Sequence, residues 1–134
     1  MPERKNAPLG NTVSKKGKVA KRPASEVFLE NQINTEGERQ YLSNLANLVS
    51  RPGCLFLEVG SWCGDSTTIL GKIAKSNGGH VVAVDWWRGN TGTKLEKIAA
   101  EHNILERFQK RIKKMGLEDT VIPLVSSSDK AAQI

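Results

Sequence analysis

A glycine turn within "LEVGSWCGDSTTIL", residues 57–70, carries the residues best suited to ligand chemistry. Glu58 ends an apolar run, Gly60 and Gly64 follow with three residues between them, and Asp65-Ser66-Thr67 opens a helical pattern. An acid at a strand end suits a ligand's positively charged amino group, whereas the free amides and hydroxyls of a helix start suit a carboxylate. The turn therefore favours a ligand with an amino-acid end.

Two phosphate-binding motifs fit this turn less well. A Walker loop needs four residues between its glycines and then Gly-Lys-Ser/Thr, but only three residues separate Gly60 from Gly64 and no lysine follows. A dinucleotide fingerprint needs a glycine two residues after the first, and Trp62 stands there instead. The Walker motif is excluded, and a nicotinamide-dependent oxidoreductase domain stays open as an alternative.

A second acid completes the ligand hypothesis. Asp85 ends the apolar run "HVVAVD", 21 residues after Gly64. An acid at about this spacing receives ribose hydroxyls in nucleotide-binding α/β folds. A ligand with both an amino-acid end and a ribose points to S-adenosylmethionine.

The elements that position these residues alternate along the chain. A helix is predicted after a Thr35 cap, and a second helix follows the glycine turn and stops at Gly78-Gly79. A helical region is predicted from 95 to 115. Within it, Asn103 is predicted to cap the start of a separate helix. "CLFLEVG", "HVVAVD" and "TVIPLV" read as strands of a parallel sheet, the first covered on both faces. The fold class is therefore α/β, a Rossmann-like parallel sheet with flanking helices, in which ligands bind at the carboxyl ends of the strands.

Three motifs in order resemble the class I S-adenosylmethionine-dependent methyltransferases. They are "LEVGSWCGDST", "VVAVDWWRGNTG" and "VIPLVSSSDKAA". Within that group the turn from Glu58 to Thr67, followed by Asp85, Trp87 and Gly89, is similar to the branch of macrocin O-methyltransferases and cephalosporin-hydroxylase-like proteins.

The resemblance implies roles for particular residues. The turn would hold the methionine end of the cofactor, with Gly60 and Gly64 admitting it, Glu58 meeting the amino group and Ser66 the carboxylate. Asp85 would hold the ribose, and Trp86 or Trp87 would flank the adenosine. The remaining cofactor-binding residues implied are Ser61, Ser127 and Ser128.

The resemblance also implies a larger sheet than this sequence supplies. The chain ends after the third predicted strand, before the fourth strand whose loop carries the acids or the base for methyl transfer. We therefore expect residues 25–134 to be the N-terminal half of a methyltransferase domain, inactive by itself. No catalytic residue is assigned. Mg²⁺ is possible in an intact parent, but no metal ligands are visible, and the implied substrate is a small hydroxylated molecule.

The chain's positive charge lies in its first residues. Of 20 basic and 14 acidic residues, seven basic and one acidic fall within residues 1–24. This segment has few large apolar residues, which predicts a disordered basic tail. A non-catalytic nucleic-acid-binding protein acting through the tail is the second alternative, although nucleic acid is not the expected partner.

Other sequence features indicate the cellular location of the protein. No apolar run is long enough to span a membrane or serve as a secretory signal. Two cysteines, Cys54 and Cys63, suggest no disulfide framework, and a cytoplasmic location is expected. The oligomeric state is not predicted.

Overall fold

The computed structural model describes Leu29 and residues 35–134. The predicted basic tail at residues 1–24 lies outside the described residues, as do the other positions before Thr35 except Leu29. Nothing in the structure therefore bears on the predicted tail.

Helices and strands alternate between residues 35 and 134, except that two helices follow one another between the second and third strands. In chain order they are α1 (Glu36–Val49), β1 (Leu55–Val59), α2 (Asp65–Ser76), β2 (His80–Asp85), α3 (Lys94–Glu101), α4 (Ile104–Lys114), β3 (Val121–Val125) and α5 (Ser128–Ala131). None of these helices is both long enough and apolar enough to cross a bilayer.

The strands form one parallel sheet in the order β1-β2-β3. Leu57 pairs with Val82, and Val82 pairs with Ile122, so the three strand ends reach the same edge. The predicted fold class, a Rossmann-like parallel sheet with flanking helices, is confirmed.

Local signals set the starts of α1 and α4 as predicted. Thr35 Oγ1 accepts the Glu38 amide, and the Glu38 carboxylate accepts the Thr35 amide, which completes a capping box. Asn103 Oδ1 accepts the amide of Glu106 and begins α4 at Ile104. These caps supply acceptors to backbone N–H groups that have no partner inside the helix.

The core lies on one face of the sheet. Val81, Ala83 and Val121 are buried there, together with Ala74 of α2 and the α4 side chains Ile104, Phe108 and Ile112. A Cβ atom at Gly71 would come within 2.9 Å of the Leu117 side chain, so α2 packs closely only because this position is glycine. This face carries most of the apolar burial of the described residues.

The other face of the sheet is largely uncovered in the described part of the chain. The β1 side chains Leu55, Leu57 and Val59 are each more than 60% exposed, and Ile122 of β3 is about half exposed. The expectation that β1 is covered on both faces is wrong for these residues, because the helices that bury the sheet pack against the opposite face. β1 and β3 are the two edge strands of this sheet, and β2 lies between them.

Candidate functional site

A cavity of about 370 Å³ lies at the carboxyl ends of all three strands. This volume is within the usual range of about 300–1,000 Å³ for small-molecule sites. The residues around it are Val59, Gly60, Val84, Asp85, Trp86, Asn90, Thr91, Ser126, Ser127 and Ser128. Of the predicted site residues, the structure brings Gly60, Asp85, Trp86, Ser127 and Ser128 together here.

At Gly60 the backbone is open to the cavity. Its φ of +88° lies in the left-handed region that favours glycine, and its amide donates to the Val84 carbonyl at 2.8 Å. A Cβ atom added at Gly60 would have no protein atom within 4 Å. A ligand can therefore approach the backbone closely at this point.

Asp85 joins the cavity to both neighbouring loops. Its Oδ2 accepts the Trp62 amide at 2.8 Å, and its Oδ1 accepts the Trp87 amide at 2.7 Å. Each carboxylate oxygen can accept a second hydrogen bond. Asp85 is half-buried and therefore keeps acceptor capacity for hydroxyl groups of a ligand.

The two adjacent tryptophans lie in different environments. Trp86 is 38% exposed and lines the cavity, with its indole Nε1 donating to the Gly89 carbonyl at 2.8 Å. Trp87 is only 5% exposed and packs against Phe108, with ring centroids 5.0 Å apart. The structure thus places Trp86 on the cavity and Trp87 in the core.

Glu58 lies beside the start of α2 and does not line this cavity. Its two carboxylate oxygens accept hydrogen bonds from the Ser66 and Thr67 hydroxyls. Side chains alternate along a strand, so Glu58 faces α2, whereas its neighbour Val59 borders the cavity. In this arrangement Glu58 and Ser66 are each other's partners, and Glu58 stabilises the first turn of the helix.

Two further predicted residues belong to the turn itself. Ser61 is fully buried, and its Oγ has no hydrogen-bond partner among the described residues. Gly64 has a φ of +83°, and a Cβ atom there would meet the Phe108 ring at 2.9 Å. Ser61 is therefore buried inside the turn and does not line the cavity, while Gly64 permits close packing of the turn on α4.

The serines after β3 form the far wall. Ser127 is the N-cap residue of α5, and its side chain makes no cap hydrogen bond. The Ser127 hydroxyl beside Asp129 holds the pKa of that exposed carboxyl below its ordinary value. Ser126 and Ser128 also line the cavity, so three consecutive serines border it after β3.

Sequence reasoning missed the polar cavity residues Asn90, Thr91 and Ser126, and also the apolar residues Val59 and Val84. Asn90 and Thr91 lie in the loop after β2, whose path depends on Gly89, since a Cβ atom there would collide with the Leu95 carbonyl. The available signal was a glycine-rich, polar loop directly after Asp85, but nothing in its residue types shows which side chains turn toward the strand ends.

The buried carboxylate of Asp65 links the start of α2 to two neighbouring helices. Asp65, the first residue of α2, has a 6% exposed side chain and accepts from Arg39 of α1 at 2.7 Å. Arg111 of α4 lies 3.7 Å from its other oxygen. These contacts fasten α1 and α4 to the helix that follows the glycine turn.

The described residues contain a second groove but no evident metal centre. The groove, of about 380 Å³, lies between α1 and α2 and is lined by Glu36, Arg39, Gln40, Ser43, Ile69, Lys72 and Ile73. It contains none of the predicted site residues. No cluster of three or more His, Cys, Asp or Glu side chains suited to a metal ion occurs among the described positions.

Comparison with protein families assigns a large part of the chain. A family model described as a methyltransferase domain matches residues 57–134, which is more than half of the sequence. The match contains the glycine turn, all the cavity residues and β2 and β3. Comparison with curated proteins gives no match.

Two solved structures share the fold. A protein from Klebsiella pneumoniae assigned as an O-methyltransferase matches 88% of this chain with a TM-score of 0.57 and 13% identity. A protein from Clostridium thermocellum assigned as an rRNA methylase matches 70% with a TM-score of 0.52, also at 13% identity. The chain spans 50% and 42% of these structures, respectively. Identities this low show the fold alone.

Proposed function

Because the chain belongs to the methyltransferase-domain family, we propose that its strand-end cavity binds S-adenosylmethionine as the methyl donor. The observation that carries the proposal is the convergence of Gly60, Asp85 and Ser127 from three different strand ends on one cavity. The family implies this co-substrate. The open backbone at Gly60 and the remaining acceptor capacity of Asp85 suit its amino-acid and ribose parts.

In this proposal, Asp85 accepts the ribose hydroxyls and Trp86 lies beside the adenosine. Ser127 and Ser128 lie near the adenine, and Gly60 admits the methionine end. Ser61, with its buried hydroxyl lacking a partner among the described residues, belongs to the same end. Glu58 and Ser66 act there as a pair, since the hydroxyl already donates to the carboxylate. Gly64 shapes the turn.

The reaction proposed for the whole protein is methyl transfer to an oxygen of a small hydroxylated molecule. The bound cofactor supplies the activated methyl group, and the residues of this chain hold it in place. The similarity of the Glu58 to Thr67 turn to macrocin-type O-methyltransferases supports this acceptor class. The protein is further proposed to act in the cytoplasm.

Turnover is proposed to need more than this chain. The chain spans about half the length of the solved structures it matches. We propose no catalytic base among the described residues, which also contain no cluster of three or more side chains suited to a metal ion. Cofactor binding without methyl transfer is therefore the expected behaviour of these 134 residues alone.

Titration calorimetry with S-adenosylhomocysteine tests the binding proposal. We expect saturable binding by the wild type, a loss of about tenfold or more for Asp85→Asn, and no change for Asp119→Ala. Asp119 is an exposed acid outside the cavity and controls for net charge. A chain that is folded by circular dichroism but does not bind, or that binds NAD⁺ in preference, would contradict the proposal.

A further inference from the structure

Two tryptophans at the cavity loops have a backbone conformation that large residues rarely adopt. Trp62 has a φ of +45° and Trp87 a φ of +55°, whereas the other positive φ values among the described residues belong to glycines. The left-handed region is unfavourable for a residue with a Cβ atom, so it persists only where surrounding contacts enforce it. Such outliers concentrate at functional sites, which makes the enforcing contacts informative.

The enforcing contacts form a closed hydrogen-bond circuit of Asp85, Trp62 and Trp87. Asp85 accepts the amides of Trp62 and Trp87 on separate oxygens, at 2.8 and 2.7 Å. The indole Nε1 of Trp87 then donates to the Trp62 carbonyl at 2.7 Å. This last bond is buried and links the loop after β1 to the loop after β2 without passing through the cavity.

We propose that Trp62 and Trp87 are positioning residues, and that their circuit with Asp85 fixes the two loops in the shape that binds the cofactor. This inference rests on the proposed function of the cavity. Its specific consequence is that cofactor affinity depends on the indole N–H of Trp87, although Trp87 does not line the cavity.

The geometry explains how a core residue acts on the ligand. Two backbone donors fix the orientation of the Asp85 carboxylate, so its remaining acceptor directions are set before a ligand arrives. Gly60 lies two residues before Trp62, and Trp86 immediately precedes Trp87. A shift of either tryptophan backbone therefore moves a wall of the cavity.

The packing of Trp87 keeps the circuit closed. Its ring meets Phe108 with a centroid distance of 5.0 Å and an interplanar angle of 53°. Phe108 is itself 1% exposed and cannot turn away. The indole N–H is thus held toward the Trp62 carbonyl, and losing that N–H would leave a buried acceptor without this partner.

Trp87→Phe separates the circuit from simple core filling. The substitution keeps an aromatic ring against Phe108 but removes the indole N–H. Ile112→Val is the matched control, because it makes a small lesion at another buried position outside the circuit. Backbone amide exchange by NMR and calorimetry with S-adenosylhomocysteine are measured on the wild type and both variants.

For Trp87→Phe we expect amide exchange to accelerate, relative to the wild type, more at positions 62 and 87 than at the strand amides. We also expect the affinity for S-adenosylhomocysteine to be about 2- to 10-fold weaker than that of the wild type. Ile112→Val should change neither the relative exchange rates nor the affinity. A folded Trp87→Phe protein with wild-type loop exchange, or with wild-type affinity, would overturn the proposal. If the wild type did not bind the ligand, the proposed function would fail, and the exchange rates would still decide whether the circuit fixes the loops.

Discussion

Replacing Gly64 by alanine should be the most damaging single-methyl change in the glycine turn. The residue has a φ of +83°, and a Cβ atom added there would lie 2.9 Å from Phe108 Cδ2 and 3.2 Å from Cε2. Phe108 is almost fully buried and packed against Trp87, so its ring has little room to move. Both the backbone and the packing therefore oppose the added methyl group.

The expected cost is the sum of these two effects. A left-handed conformation costs a residue with a Cβ atom about 1–2 kcal/mol, and overpacking a core costs about 1–3 kcal/mol. Gly64→Ala should therefore lower the free energy of unfolding by about 2–5 kcal/mol. This is a large share of the roughly 5–15 kcal/mol that stabilises a typical domain.

Gly78→Ala provides the matched control. Gly78 has a φ of +64°, but its added Cβ atom would meet nothing within 4 Å, so only the backbone cost of about 1–2 kcal/mol applies. Urea unfolding followed by far-ultraviolet circular dichroism measures both variants. Equal losses in the two variants would refute the conclusion that Gly64 is required by its contact with Phe108.

Three further changes test other parts of the structure. Asp65→Asn should lower the free energy of unfolding by about 3 kcal/mol, because it leaves Arg39 and Arg111 facing a neutral group; a urea-measured loss below about 1 kcal/mol would contradict this. The hydrogen bond from Lys110 holds the pKa of Glu106 below its ordinary value of 4.5. The small stabilisation from this pair is therefore fully present above pH 4.5 and is lost as the pH falls through the lowered pKa. Titration by NMR should show the Glu106 pKa rising in Lys110→Met, and an unchanged value would exclude the pair as the cause. Leu57→Ser should change the unfolding free energy by no more than about 0.5 kcal/mol, since Leu57 is 69% exposed, and a loss of about 2 kcal/mol or more in the same urea assay would show that another surface covers this sheet face in solution.

The parts of the fold that local signals determine could be predicted from the sequence. Thr35 and Asn103 cap helices as expected, because each supplies its acceptor to an amide a few residues away. The three strands follow from short apolar runs, and their parallel order follows from the helices between them. The exposure of one β1 face did not follow, since an apolar run does not show which elements pack against it.

The candidate site could be placed but not detailed from sequence. Gly60 and Asp85 follow or end consecutive parallel strands, and this alone brings them to one edge of the sheet. Trp86 lines the cavity whereas Trp87 is buried in the core, and this difference depends on the positive φ of Trp87. The sequence does not reveal a positive φ at a non-glycine residue. Likewise, the pairing of Glu58 with Ser66 depends on which face of β1 the carboxylate occupies.

Chemical-shift mapping tests the cofactor assignment of the strand-end cavity most directly. Amide spectra of the ¹⁵N-labelled protein would be recorded during titration with S-adenosylhomocysteine. We expect saturable shifts concentrated at Gly60, Asp85, Asn90 and Ser126 to Ser128, with little change around the groove between α1 and α2. Saturable shifts centred on that groove, or no shifts from a folded protein, would contradict the assignment of the strand-end cavity as the cofactor site.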